Sequence, residues 1–254
     1  MAYPVIQSLT IGQGKPFILL HAFPLSHQMW QSLQPPAGTR FIFPDFPGFG
    51  LSPLPPEGPL DFTLLSQSLE EHLIDLGVTE PFVLGGISMG GYWAMEFARL
   101  FPNRINQLVF ISTRPGVDKP EGRSNRLLMA DKVEKEGMAG IVEGMVPGLL
   151  GKRTFKEQAA TTELVGRWIK EASPKAVALA QRVMADRRDQ TTLLPTLKVK
   201  THLWAGQEDA LIPNTESQTM AQALPSCELK IFEGVGHLIP LEDPQAFQNA
   251  INQI

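Results

Sequence analysis

"LGGISMGGYWA", residues 84–94, sets four glycines around one serine inside an otherwise apolar stretch. "FVLGG" enters as a buried strand and "GYWAMEFARLF" leaves with a helical period. Ser88 therefore falls on the turn between them, in the pattern Gly86-Ile87-Ser88-Met89-Gly90. A turn that sharp strains the serine backbone and brings the positions two before and two after it together, where side chains would collide and glycines do not. It exposes the serine oxygen. It also aims the first helical N–H groups, Met89 among them, at the space above the hydroxyl, where a negative oxygen could be held. A serine is a poor nucleophile alone, so catalysis here requires a base and a group that orients the base.

Outward from the turn, short apolar runs alternate with longer helical segments. "FILLHAF" (17–23), "RFIFPDF" (40–46), "PFVLGGIS" (81–88), "INQLVFIST" (105–113), "KTHLWAG" (200–206) and "CELKIFEG" (227–234) read as strands. Helices are expected over 61–76, opened by Asp61 as a cap, and over 90–101, 215–224 and 244–253. That alternation predicts an α/β fold with a mainly parallel central sheet flanked by helices. The missing partners follow the last two strands. "THLWAG" runs into "QEDALIP", which puts Asp209 at a strand's carboxyl end, and "ELKIFEG" runs into "VGHLIP", which puts His237 at another. Carboxyl ends are where parallel sheets gather their active sites, and the order Ser88, Asp209, His237 suits one nucleophile, one orienting acid and one base. Glu208 is the rival acid, adjacent and expected to face another way.

Between Arg114 and Asp189 the strand pattern vanishes. Amphipathic stretches such as "SNRLLMADKVEKEG", "FKEQAATTELVGRWIKEA" and "PKAVALAQRVMAD" take over, which predicts a helical cap over 114–189 inserted into a core made of 1–113 and 190–254. This segment holds 15 lysines and arginines against 11 acids, net +4, and the remainder 7 against 15, net −8. Arg114, Arg123 and Arg126, if they face the cleft, would favour substrates with an anionic end or an acidic carrier protein delivering the acyl group. The bland alternative is that they pair with neighbouring acids on a solvated face.

Composition narrows the function further. With 43% hydrophobic and 19% charged residues and a net charge of −4, the chain reads as an ordinary globular protein with no nucleic-acid partner. The lone Cys227 excludes an internal disulfide and a cysteine-rich metal site. "MAYPVIQSLT" lacks the basic and apolar regions of a leader, and no apolar run approaches the roughly 20 residues that span a bilayer, so a cytoplasmic location without membrane partners is expected. His27, His72 and His202 form no metal-ligand spacing, and His21 reads as a prop for its loop. "DFPGFGLS" (45–52) is a shaped loop without the lysine of a phosphate loop.

Taken together, "GISMGG", "GQEDALIP", "GVGHLIPLEDP", "HAFPLSHQMW" and "DFPGFGLS" resemble the α/β-hydrolase family, in its branch with a small helical cap, over nearly the whole chain. One departure is His21-Ala22, where the family usually has His-Gly. The resemblance implies an oxyanion hole made by the backbone N–H groups of Phe23 and Met89, a Ser88–His237–Asp209 triad, and no cofactor or metal. Leu25, Trp30, Leu211 and Ile239 flank the expected site on motif loops and would shape an apolar substrate pocket. The expected reaction is hydrolysis of a small or medium carboxylic ester through an acyl-enzyme. A lactonase or carbon–carbon bond hydrolase acting on a ring-derived metabolite, an acyltransferase or perhydrolase with the same serine, and a receptor that keeps the fold without catalysis are the alternatives.

Overall fold

The computed structural model describes residues 4–254; residues 1–3, where the segment read for a leader begins, lie outside the described residues. Seven strands form one sheet: β1 (Ser8–Gly12), β2 (Lys15–Leu20), β3 (Thr39–Pro44), β4 (Phe82–Ile87), β5 (Ile105–Ile111), β6 (Lys200–Gly206) and β7 (Cys227–Phe232). Their order is β1-β3-β2-β4-β5-β6-β7, parallel throughout except for β1 against β3. The six strands expected from apolar runs are present. The seventh, β1, carries only Leu9 and Ile11 as large apolar residues and is half-exposed along its length. An edge strand needs one ladder and one covered face, so it leaves no continuous apolar run. Leu9 pairs with Phe43 and Ile11 with Phe41, which seats it without one.

Register aligns the carboxyl ends. Leu20 lies opposite Gly86, Ile87 opposite Ile111, Ile111 opposite Trp204, and Gly206 opposite Phe232. The loops that follow these strands therefore emerge along one edge of the sheet, and they carry Phe23, Ser88, Asp209 and His237.

Helices α1 (Phe62–Asp75) and α2 (Met89–Leu100) follow β3 and β4; α8 (Asn214–Ala223) follows β6, and α9 (Ile239–Glu242) and α10 (Pro244–Ile251) follow β7. Asp61 lies just outside α1, where its carboxylate accepts the Leu64 N–H at 2.8 Å, as a cap should. Between β5 and β6 the chain forms only helices: α3 (Pro120–Glu136), α4 (Val142–Leu149), α5 (Lys152–Glu157), α6 (Ala159–Glu171) and α7 (Pro174–Ala185), with α3 packed along α7. α4 is new to the sequence reading, because Gly144, Pro147 and Gly148 are poor helix formers. The long amphipathic stretch over 155–172 divides at Gln158, whose backbone leaves the helical region at φ −114°, ψ 66°.

The core is continuous from sheet to flanking helices, and Trp30 belongs to it. Its fully buried ring stacks on Phe43 and Phe247, with centroids 6.1 and 5.9 Å away. No described helix is long and apolar enough to cross a membrane.

Candidate active site

Ser88 immediately precedes α2, between it and β4, with φ 54° and ψ −113°, a conformation that residues other than glycine rarely adopt. Its surroundings over-determine that strain. The Ser88 N–H donates to Ile111 O at 2.9 Å, and the Ser88 carbonyl accepts from Gly91 N, Tyr92 N and the Thr113 hydroxyl, the last at 2.9 Å. Glycine is required on both sides: a Cβ at Gly86 would run into the Gly90 carbonyl, and one at Gly90 into the carbonyl of Leu20 at the end of β2.

His237 and Asp209 meet as the sequence order predicts. His237 Nδ1 lies 2.8 Å from Asp209 Oδ2, both side chains being fully buried. Asp209 Oδ1 accepts the N–H groups of Leu211 and Ile212, each at 2.9 Å. Burial works to raise the Asp209 pKa, but the charge and hydrogen bond of His237, with the Ile212 N–H, outweigh it and hold the carboxyl below its ordinary value. Ser112, also at positive φ (42°) and fully buried beside this carboxylate, contributes in the same direction although its hydroxyl makes no bond of good geometry. A carboxylate held ionised against Nδ1 fixes the ring so that Nε2 is left for proton transfer. Glu208 does face elsewhere: its Oε2 accepts the Lys152 N–H at 2.6 Å.

Ser88 and His237 line one cavity of about 480 Å³, with Phe23, Tyr92, Leu211 and Ile212 from the core and residues of α3, α4 and α7 above them. The backbone N–H groups of Phe23 and Met89 donate to no acceptor among the described residues, which leaves both for a ligand oxygen. His21 supports the Phe23 loop from below. The Phe46 N–H donates to His21 Nε2 at 2.9 Å, so Nδ1 carries the proton and donates to Ala22 O, also at 2.9 Å. Burial keeps that imidazole below its ordinary pKa and therefore neutral, in the role of a prop.

Of the four residues expected to shape the pocket, Leu211 lines the cavity and the others do not. Trp30 is stacked in the core, Ile239 is fully buried at the start of α9, and Leu25 lies against a separate surface groove beside Trp168. Flanking a motif in sequence did not place them on its open side. The walls come instead from α3 (Arg126, Met129, Lys132), α4 (Gly144, Met145, Gly148, Leu149) and α7 (Gln181, Met184). Spacings of three and four put each set on a single helix face. The glycines of α4 give room, since a Cβ on Gly144 would meet nothing. Arg114 lines the same cavity, whereas Arg123 pairs with Asp186 on the outer surface. A larger surface cavity, about 600 Å³ near the amino end of β5, has no serine, histidine or carboxylate in its wall and offers no comparable chemistry. No group of three or more metal-ligating side chains occurs among the described residues.

A strained serine at a strand-to-helix turn, a buried Asp–His pair and two free N–H groups at one sheet edge are the parts of a hydrolase scaffold. The profile of the alpha/beta hydrolase family matches residues 17–250, and the chain belongs to that family. A thermophilic esterase from Thermogutta terrifontis, solved with malate bound, is 36% identical and superimposes with a TM-score of 0.93, covering 98% of this chain and 92% of that one. A pimeloyl-[acyl-carrier protein] methyl ester esterase of Aromatoleum aromaticum is 28% identical over 90% of this chain and 93% of its own length. A 2-hydroxy-6-oxo-6-phenylhexa-2,4-dienoate hydrolase of Burkholderia cepacia is 25% identical over 93% of this chain and 86% of its own. Hydrolase activity is common to these relatives and is supported for this chain.

Proposed function

We infer that the protein is a serine carboxylic ester hydrolase acting on small or medium esters, with residues 114–189 serving as a cap over the site. The observation that carries this reading is the buried 2.8 Å Asp209–His237 pair at the same cavity as the strained Ser88. His237 Nε2 takes the proton of Ser88 Oγ as the oxygen attacks the ester carbonyl. The oxygen of the tetrahedral intermediate is held by the Phe23 and Met89 N–H groups. His237 returns the proton to the leaving alcohol as the carbon–oxygen bond breaks, which leaves an acyl group on Ser88. Water, deprotonated by the same histidine, attacks the acyl carbonyl and frees the acid, and the proton returns to Ser88. Asp209 stays ionised throughout and stabilises the imidazolium. No step needs a metal or cofactor.

Esterases among the relatives at 28% and 36% identity favour ester over carbon–carbon bond cleavage. The test is labelling of the protein with a fluorophosphonate, followed by turnover of a panel of esters, lactones and ring-opened diketones. Labelling at Ser88 with fastest turnover of an acyclic ester is the expected result. Labelling with fastest turnover of a lactone or diketone would replace the ester assignment, and neither labelling nor turnover would leave a binding protein on this scaffold.

A further inference from the structure

The wall of the catalytic cavity contains Arg114, Arg126 and Lys132 and not one aspartate or glutamate, in a chain whose net charge is −4. The acid that these arginines share is Asp118, which lies outside the wall with its side chain buried. It accepts from Arg114 Nη2 at 2.7 Å, Arg126 Nε at 2.6 Å and Arg187 Nη1 at 2.5 Å. Three guanidinium groups share one carboxylate, so the direct ion pairs of this cluster carry an excess of two positive charges. Lys132, six residues along α3 from Arg126, is solvent-exposed and lines the same cavity, and it adds a third, since it forms no ion pair among the described residues. Coulomb repulsion among charges gathered this closely is tolerated most readily where a ligand anion completes the set.

The hydrogen-bond inventory gives the same answer. Arg114 Nε is buried without an acceptor. Arg114 Nη1 and Arg126 Nη2 also donate to no acceptor among the described residues, although Arg126 Nη1 is fixed by Gln181 Oε1 at 3.1 Å. A buried N–H of a cation is among the groups most costly to leave unpaired. Guanidinium groups held in place by a shared carboxylate present fixed donors that match a planar, two-oxygen anion. Apolar side chains, Met129, Met145, Met184 and Leu211, occupy the same cavity, so the molecule that fills it joins an apolar stem to an anionic end.

We propose that Arg114, Arg126 and Lys132 select esters that carry a free carboxylate at the end remote from the scissile bond, joined to it by a short apolar chain. This rests on the ester hydrolase assignment above and names its substrate class. The test compares kcat/KM for methyl monoesters of straight-chain dicarboxylic acids with that for the matching ω-amide methyl esters, which keep size and polarity but lack the charge. At the best chain length the carboxylate member is expected to be favoured at least about 10-fold, and the preference should shrink as salt is raised. Lys132→Met, which removes no ion pair, and Arg126→Met should each lower the carboxylate-to-amide ratio, chiefly through KM for the carboxylate ester. Equal or better turnover of the amide members, or a ratio unmoved in both variants, overturns carboxylate selection and leaves the esterase standing. Failure to turn over any ester, together with absent fluorophosphonate labelling, overturns the ester assignment itself.

Discussion

Glu242 Oε2 accepts the backbone N–H of Gly151 at 2.7 Å, a bond between residues 91 positions apart that ties the segment carrying α4 and α5 to the end of α9. The same carboxylate accepts from Gly236 N and Leu238 N, each at 3.1 Å, the residues on either side of His237. One buried acid thus holds the loop of His237 and the helices above it, while Glu208 takes the next N–H, that of Lys152. Gly236 packs so closely on Gly151 that a Cβ there would overlap its nitrogen.

Removing that acceptor charge should loosen both partners. In Glu242→Gln the amide can offer its oxygen to only part of the set and turns its NH2 toward the remaining donors. Hydrogen bonds to charged groups contribute about 1.5–3 kcal/mol each, and a loss of about 2 kcal/mol or more in urea unfolding is expected. Displacement of His237 should lower kcat about 10- to 100-fold with a smaller change in KM. Stability reduced with kcat intact would reduce Glu242 to a structural clamp.

Ser88 offers two linked outcomes. Ser88→Ala removes the nucleophile and should lower ester turnover at least about 10⁴-fold, to the rate that binding and the two N–H donors sustain. It keeps a Cβ, so the strain at φ 54° remains and stability should match the wild type. Ser88→Gly is equally inactive but relieves a strain of about 1–3 kcal/mol, partly offset by the greater freedom of glycine in the unfolded chain. It should be the more stable of the two by about 1 kcal/mol in denaturant titration. Equal stability would mean that the strain at the turn is no larger than the entropic cost of glycine, about 0.4–1 kcal/mol.

The sheet, the turn at Ser88 and the Asp209–His237 pair were legible in the sequence because each is written locally: an apolar run, glycines two residues either side, a polar residue where a strand stops. What escaped depends on which way a side chain faces in three dimensions. Leu25, Trp30 and Ile239 adjoin motif residues yet turn into the core or onto another groove, while Met129 and Lys132, far from any motif, form the wall beside Arg126, the one of the three that the basic charge of residues 114–189 singles out. Spacing of three along α3 was the only available signal for them, and it cannot say what the face meets. Thr113 and Glu242 act on backbone atoms, so neither leaves a residue pattern. β1 is hidden for a related reason, since Leu9 and Ile11 alone do not announce a strand.

Asp118 is the hub of the basic wall, and its loss should be severe. Burial works to raise its pKa, but hydrogen bonds from Arg187 and Arg126 outweigh that and hold it far below the usual carboxylate range. Arg187 is itself 2% exposed, and its guanidinium also lies over the Tyr92 ring, 4.4 Å from the centroid. Asp118→Asn leaves a buried arginine uncompensated, a change that typically costs about 3–5 kcal/mol. The expected outcome is a matching fall in unfolding free energy. A loss below about 1 kcal/mol, the range of exposed ion pairs, would mean that solvent screens the cluster.

Acid should weaken the fold before the carboxylates titrate. His21, His72 and His202 all have pKa values lowered from 6.5, in each case chiefly by burial; the charge of Lys200 adds to the effect at His202, while Asp45, Asp75 and Glu228 respectively oppose it. A group whose folded pKa lies below its unfolded value binds more protons unfolded, so its contribution is complete above pH 6.5 and is lost as pH falls toward the folded value. The slope from His21, 1% exposed, or from His202, 5% exposed, is at most about 1.4 kcal/mol per pH unit; His72, partly open to solvent, adds less. Asp209, also lowered, acts only below its ordinary value of 3.8. Urea midpoints measured between pH 8 and pH 4.5 should therefore hold level down to about 6.5 and then decline. His72→Gln, which retains an acceptor for the Ser8 hydroxyl now 2.8 Å from Nε2, should decline less steeply. A midpoint constant down to pH 4.5 would mean that these imidazoles take up protons in the folded state as readily as in the unfolded chain.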